Sequence, residues 1–116
     1  MDKRLESALK FANLRQTLFL EKQRLQEKLK SDLSISFNGG RFYLDRNFIM
    51  YINTITPDEG IISATILDDK TNPILIDNLA DFRFHISQVY NDAVSEYYQA
   101  FEELKKKRSV KAIVDL

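Results

Sequence analysis

Leu5, Ala8, Phe11, Ala12, Leu14, Leu18, Leu25 and Leu29 recur at helical steps, with Lys, Arg, Glu and Gln between them, and neither Gly nor Pro interrupts residues 2–31. That spacing puts the apolar side chains on one face of a helix over residues 2–31. A second helix is expected over residues 78–108. It opens at Asn78 with Asp81 three residues on, a capping arrangement, and carries Phe82, Ile86, Val89, Ala93, Tyr97, Ala100 and Leu104 along a face. Tyr90, Val94, Tyr98 and Phe101 widen that stripe, which predicts burial on more than one side.

The pattern between the helices, residues 33–76, has the shorter period of strands. Ser34-Ile35-Ser36-Phe37 and Arg41-Phe42-Tyr43-Leu44 alternate around Asn38-Gly39-Gly40, a hairpin whose tight turn needs positive φ at its central residues. Asn38-Gly39 and Gly39-Gly40 both qualify as those residues, and either register puts Ile35, Phe37, Phe42 and Leu44 on one face. Ile61 to Leu67 and Ile74 to Ile76 form a second apolar pair around Asp68-Asp69-Lys70-Thr71-Asn72-Pro73, with Pro73 suited to a strand start or an edge. Phe48, Tyr51, Ile52 and Ile55 fit a short helix over 46–55 capped by Asp45, although the β-branched content also suits a strand. Thr56-Pro57-Asp58-Glu59-Gly60 ends it in a turn.

The expected fold is thus α+β in a single domain over 1–116: two long amphipathic helices packed antiparallel, bracketing two β-hairpins and a short middle helix, with a tail at 109–116. Geometry adds a partner. A helix of about 30 residues runs about 45 Å, whereas strands of about 5 residues span about 17 Å, so the small sheets cannot cover both helices. The remaining apolar length must pack helix on helix, within the chain or against another copy, which predicts a homo-oligomer.

Charge sharpens this picture. The formal net charge is zero, but residues 1–31 hold eight basic and four acidic side chains, residues 32–81 three and eight, and residues 82–116 six and five. The chain is polarised, basic at its start and acidic in its middle. At 116 residues, with 44% hydrophobic content, it is long enough for one core and too apolar to be disordered. There is no cysteine, which removes disulfides and thiolate metal sites. No basic, apolar leader and no run of about 18 apolar residues is present, so a soluble, cytoplasmic protein without a membrane partner is expected.

Few residues suggest catalysis. The single histidine, His85, lies one helical turn after Asp81, and a local helix pair accounts for it as well as a triad or a metal site would. Asp68-Asp69-Lys70-Thr71-Asn72 offers oxygens to a hard cation but lacks the spaced ligands, glycine and terminal glutamate of an EF-hand; Asx residues stabilise such turns without an ion. Asn38-Gly39-Gly40 is too short for a phosphate loop. The chain reads as non-enzymatic, with no catalytic residue, cofactor or metal.

Two segments point to partners. Lys105-Lys106-Lys107-Arg108, which an antiparallel pair would bring to the same end as Lys3 and Arg4, forms a basic end that could meet nucleic-acid phosphates, with Tyr97 and Tyr98 as stacking faces. The bland alternative is a solvated run that complements the helix dipole. The tail offers Ile113, Val114 and Leu116 for docking on a partner protein. The favoured reading is a protein–protein interaction or assembly module of unknown partner, the alternative an accessory nucleic-acid-binding protein.

The opening Met1-Asp2-Lys3-Arg4-Leu5-Glu6-Ser7-Ala8-Leu9, the Gly39-Gly40 hairpin, the Asp-rich loop before Pro73 and the segment Lys107-Arg108-Ser109-Val110 resemble small uncharacterised proteins of tailed phages, myoviruses, that infect marine cyanobacteria. The resemblance covers nearly the whole chain. It implies a phage accessory protein acting in the host cytoplasm on phage or host macromolecules.

Overall fold

The computed structural model describes residues 2–114, with side chains described for residues 2–107. The order of elements is α1 (Lys3–Asp32), β1 (Ser34–Phe37), β2 (Gly40–Tyr43), α2 (Arg46–Ile55), β3 (Ala64–Leu67), β4 (Pro73–Ile76) and α3 (Leu79–Val114). This is the expected α+β class, with the two long terminal helices packed together. Their direction is antiparallel: Lys28 Nζ donates to Glu96 Oε1 at 2.8 Å, while Lys22, earlier on α1, stands over the ring of Phe101, later on α3. Among the described residues no helix is long and apolar enough to cross a membrane.

Two compact units divide the chain. The first is helical and combines α1 as far as Lys28 with α3 from Ser95; the second is α+β and runs from Leu29 to Val94.

In the α+β unit the local signals act as their chemistry dictates. Asn38 and Gly39 hold positive φ, 49° and 81°, and Phe37 pairs with Gly40, so Asn38-Gly39 forms the turn of the first hairpin. Gly40 is needed for a different reason: a Cβ there would stand 2.5 Å from Ile74 Cγ1. Asp45 caps α2 by accepting from the Phe48 amide at 2.8 Å. Thr56, extended before Pro57, closes the helix by donating through its amide and hydroxyl to the Ile52 carbonyl. Asn78 accepts from the Asp81 amide and donates to its carboxylate, the reciprocal cap expected at the start of α3. The second hairpin is shorter than the pattern suggests. Pro73 opens β4, and Ile61 to Ser63 stay irregular, with the Ile62 carbonyl accepting from the Leu79 amide.

These elements close over one apolar core: Leu33, Phe42, Leu44, Ile52, Ile66, Ile74, Ile76, Leu79, Phe82, Ile86 and Ala93. Phe82 is its centre, with Phe37, Phe42 and Phe48 ring centroids at 5.0, 5.7 and 6.3 Å. Phe42 and Leu44 face inward as expected, while Ile35 and Phe37 on the same face are partly covered.

Two expectations fail. The second stripe of α3 is not buried throughout, because Val94 and Tyr98 are exposed. Residues 109–114 are not a tail separate from the helix: the α3 backbone continues to Val114, since no Gly or Pro stops it. Asp115 and Leu116 lie outside the described residues.

Candidate functional site

The loop between β3 and β4 is the most densely bonded polar feature. Asp68 is buried, and its Oδ1 accepts from the amides of Asn72 at 2.7 Å and Lys70 at 3.0 Å. Its Oδ2 accepts from the Arg41 amide at 3.2 Å and from Asn72 Nδ2 at 3.3 Å. The Asn72 amide is the main cause that holds this carboxyl below its ordinary value of 3.8, against the opposing effect of burial. Asp69 donates from its amide to the Arg41 carbonyl and accepts from the Tyr43 amide.

Arg41 and Tyr43 alternate with residues bonded to β1, so their backbone groups point to the free edge of β2. Asp68 and Asp69 cap that edge as a surrogate strand would, and Asn38 Nδ2 ties the first turn to the Leu75 carbonyl of β4. Both carboxylate oxygens of Asp68 and Oδ1 of Asp69 thus accept from amides. Among the described residues no group of three or more His, Asp or Glu side chains could hold a metal ion.

His85 and Asp81 do not form the local helix pair expected of them. Asp81 bonds Asn78 instead, and the imidazole lies 6.2 Å, centroid to centroid, from the Phe37 ring.

The helical unit is different. Arg15, Leu18, Phe19 and Lys22 of α1 and Phe101, Leu104 and Lys105 of α3 line a groove of about 260 Å³. Four of these residues are apolar, and the three charged ones are all cations. Lys22 Nζ and Lys105 Nζ both stand over the Phe101 ring, at 5.9 and 5.4 Å from its centroid, and Arg15 lies over Phe11 at 5.8 Å. Lys105 also reaches Glu102 at 3.4 Å in an exposed pair, but no carboxylate lines the groove. A second groove, bounded by Glu21, Arg24, Leu25, Ala100, Glu103, Leu104 and Lys107, has balanced charge.

α1 also carries a second row of apolar side chains, of which Phe19 alone lines one of these grooves. Leu5 and Ala12, read in the sequence on one face with Leu14, Leu18 and Leu25, fall instead on the opposite side of α1 with Leu9, Phe19 and Leu20, since each residue turns the helix by about 100°; Gln16 interrupts this second row. Leu5, Leu9, Phe19 and Leu20 are all about half exposed or more, and no residue of α1 is buried.

The basic residues singled out in the sequence do not gather at one end. Lys105 faces Arg15, Leu18 and Lys22, whereas Lys3 and Arg4 lie at the start of α1, more than ten residues and therefore roughly 20 Å away along the helix. The antiparallel register, not the direction, separates them. Lys106 and Lys107 are exposed; the side chain of Arg108 lies outside the described residues, as do those of Ile113, Val114 and Leu116. Tyr97 is partly buried against Phe101 at 5.9 Å, and Tyr98 is exposed. Phe19, which joins the groove to the exposed row, falls outside the face first read in the sequence. Projecting both sides of α1 would have found it.

Comparison with family models, characterised proteins and solved structures gives no match.

Proposed function

We propose that the chain is a non-enzymatic interaction and assembly module whose working surface is the exposed side of its helix pair, and that it forms homo-oligomers. One observation carries this reading: Leu5, Leu9, Phe19 and Leu20 of α1 are each about half exposed or more, and Phe19 also lines the groove against α3. Large apolar side chains left exposed in this number along one helix favour a contact site. The resemblance to small proteins of cyanobacterial myoviruses supports an accessory role in a bacterial cytoplasm. Light scattering over a wide concentration range tests the proposal: mass should grow with concentration, and a strict monomer throughout would remove its support.

The alternative, an accessory nucleic-acid-binding protein, draws on the exposed Lys105, Lys106 and Lys107 and on the cations of the groove. It loses the contribution of Lys3 and Arg4 to one surface. Replacing Lys105, Lys106 and Lys107 with Gln separates the two readings. Loss of salt-dependent binding to duplex DNA in a folded variant favours the alternative, and absence of binding before and after favours assembly.

A further inference from the structure

The cationic groove of the helical unit has the features of a seat for one anchor side chain flanked by carboxylates. Its volume of about 260 Å³ falls below the roughly 300–1,000 Å³ of small-molecule sites, which favours a side chain over a whole ligand. Leu18, Phe19, Phe101 and Leu104 offer apolar walls, and Arg15, Lys22 and Lys105 hold three positive charges around them without a lining carboxylate. The Phe101 ring draws two ammonium groups to itself, and an anion arriving there would relieve their mutual repulsion.

The same chain carries the complementary shape. Thr56 to Ser63 has no regular structure, and it presents Asp58-Glu59-Gly60-Ile61-Ile62. Ile61 is 77% exposed, the most exposed large apolar side chain among the described residues, and Ile62 is 47% exposed. Asp58 and Glu59 are exposed, and neither forms an ion pair among the described residues. The Ile62 carbonyl is tied to the Leu79 amide at 3.0 Å, which fixes the base of the loop while its tip projects. Two carboxylates beside a bare isoleucine are what a groove of three cations and four apolar walls would accept.

We infer that the groove of one molecule takes the Asp58-Glu59-Gly60-Ile61 loop of a second copy, with Ile61 entering between Phe19 and Phe101 and the two carboxylates meeting Arg15, Lys22 and Lys105. The inference rests on the assembly reading and names its contact. Because groove and loop are different surfaces, the contact is head-to-tail, so each molecule can give one and receive one, building a ring or an open chain. Being charge-based and exposed, it weakens as salt rises.

Crossed charge reversal tests it. One full-length variant carries Lys22→Glu and Lys105→Glu, the other Asp58→Lys and Glu59→Lys, with folding checked by circular dichroism and self-association read by sedimentation velocity. Each variant alone sets like charges against like and should associate about tenfold or more weakly than the wild type. An equimolar mixture restores opposite charges at both contacts and should regain the wild-type association. Variants that associate as the wild type does would overturn the groove-and-loop contact while leaving assembly intact. A mixture no stronger than its parts would overturn it too. A wild type that stays monomeric would overturn both the contact and the assembly reading. If the groove variant fails to fold, Ile61→Ser with the loop reversal carries the test: undiminished association there overturns the contact, and loss supports it.

Discussion

Replacing Phe82 with Ala should remove most of the stability of the α+β unit. Phe82 is 1% exposed and touches three other phenylalanine rings. Truncating a buried phenylalanine costs about 3–5 kcal/mol through lost burial and the cavity left behind. The aromatic contacts, worth about 0.5–1.5 kcal/mol each beyond area, push the value to the upper end of that range. The unit runs from Leu29 to Val94. At about 0.05–0.15 kcal/mol per residue its whole stability is about 3–10 kcal/mol. Phe84 is the internal control, because it lies two residues along the same helix and is 70% exposed. Phe84→Ala should stay within about 0.5 kcal/mol of the wild type. Urea denaturation followed by circular dichroism measures both. Equal losses for the two variants, or a loss below about 1 kcal/mol for Phe82→Ala, would refute the placement of the core.

Three further outcomes follow from the hairpins. Gly40→Ala drives a Cβ against Ile74 and should cost about 1–3 kcal/mol, partly recovered when Ile74→Val is added; thermal melts of the double-mutant cycle show the coupling. Gly39→Ala has open space but φ of 81°, so its cost of about 1–2 kcal/mol should be indifferent to Ile74→Val. Asp68→Asn should destabilise the fold at neutral pH. Because folding lowers the Asp68 pKa, its contribution is complete above 3.8 and lost as pH falls through the lower folded value; the gap between wild-type and variant melts should therefore close only below about pH 4. A gap that closes near neutral pH would implicate another group.

Much of the fold was legible because the sequence punctuates its elements. Asp45, Asn78 and the Asn38-Gly39 pair each supply a cap or a turn with a local mechanism, and each acts where its chemistry predicts. The short helix at 46–55, ambiguous in composition, was decided by Asp45 at its start and Thr56-Pro57 at its end. What was not legible depends on distant partners. The role of Asp68 and Asp69 as a cap on β2 requires knowing that Arg41 and Tyr43 lie beside them. The groove depends on the offset between α1 and α3, which periodicity leaves free, so Lys105 was expected beside Arg4 and stands beside Lys22. The end of α3 was misread because branched aliphatics suggested a separate segment where no stop signal existed.

Phe19 offers the most direct test of the assembly claim, since it lines the groove and belongs to the exposed row, and is 59% exposed in the folded chain. Sedimentation equilibrium of the wild type and of Phe19→Gln, over a wide concentration range, measures its contribution. A concentration-dependent oligomer is predicted for the wild type, weakened by at least about 1 kcal/mol, or roughly fivefold, in a variant that melts as the wild type does. A monomeric wild type, or a variant that associates unchanged, would contradict the claim.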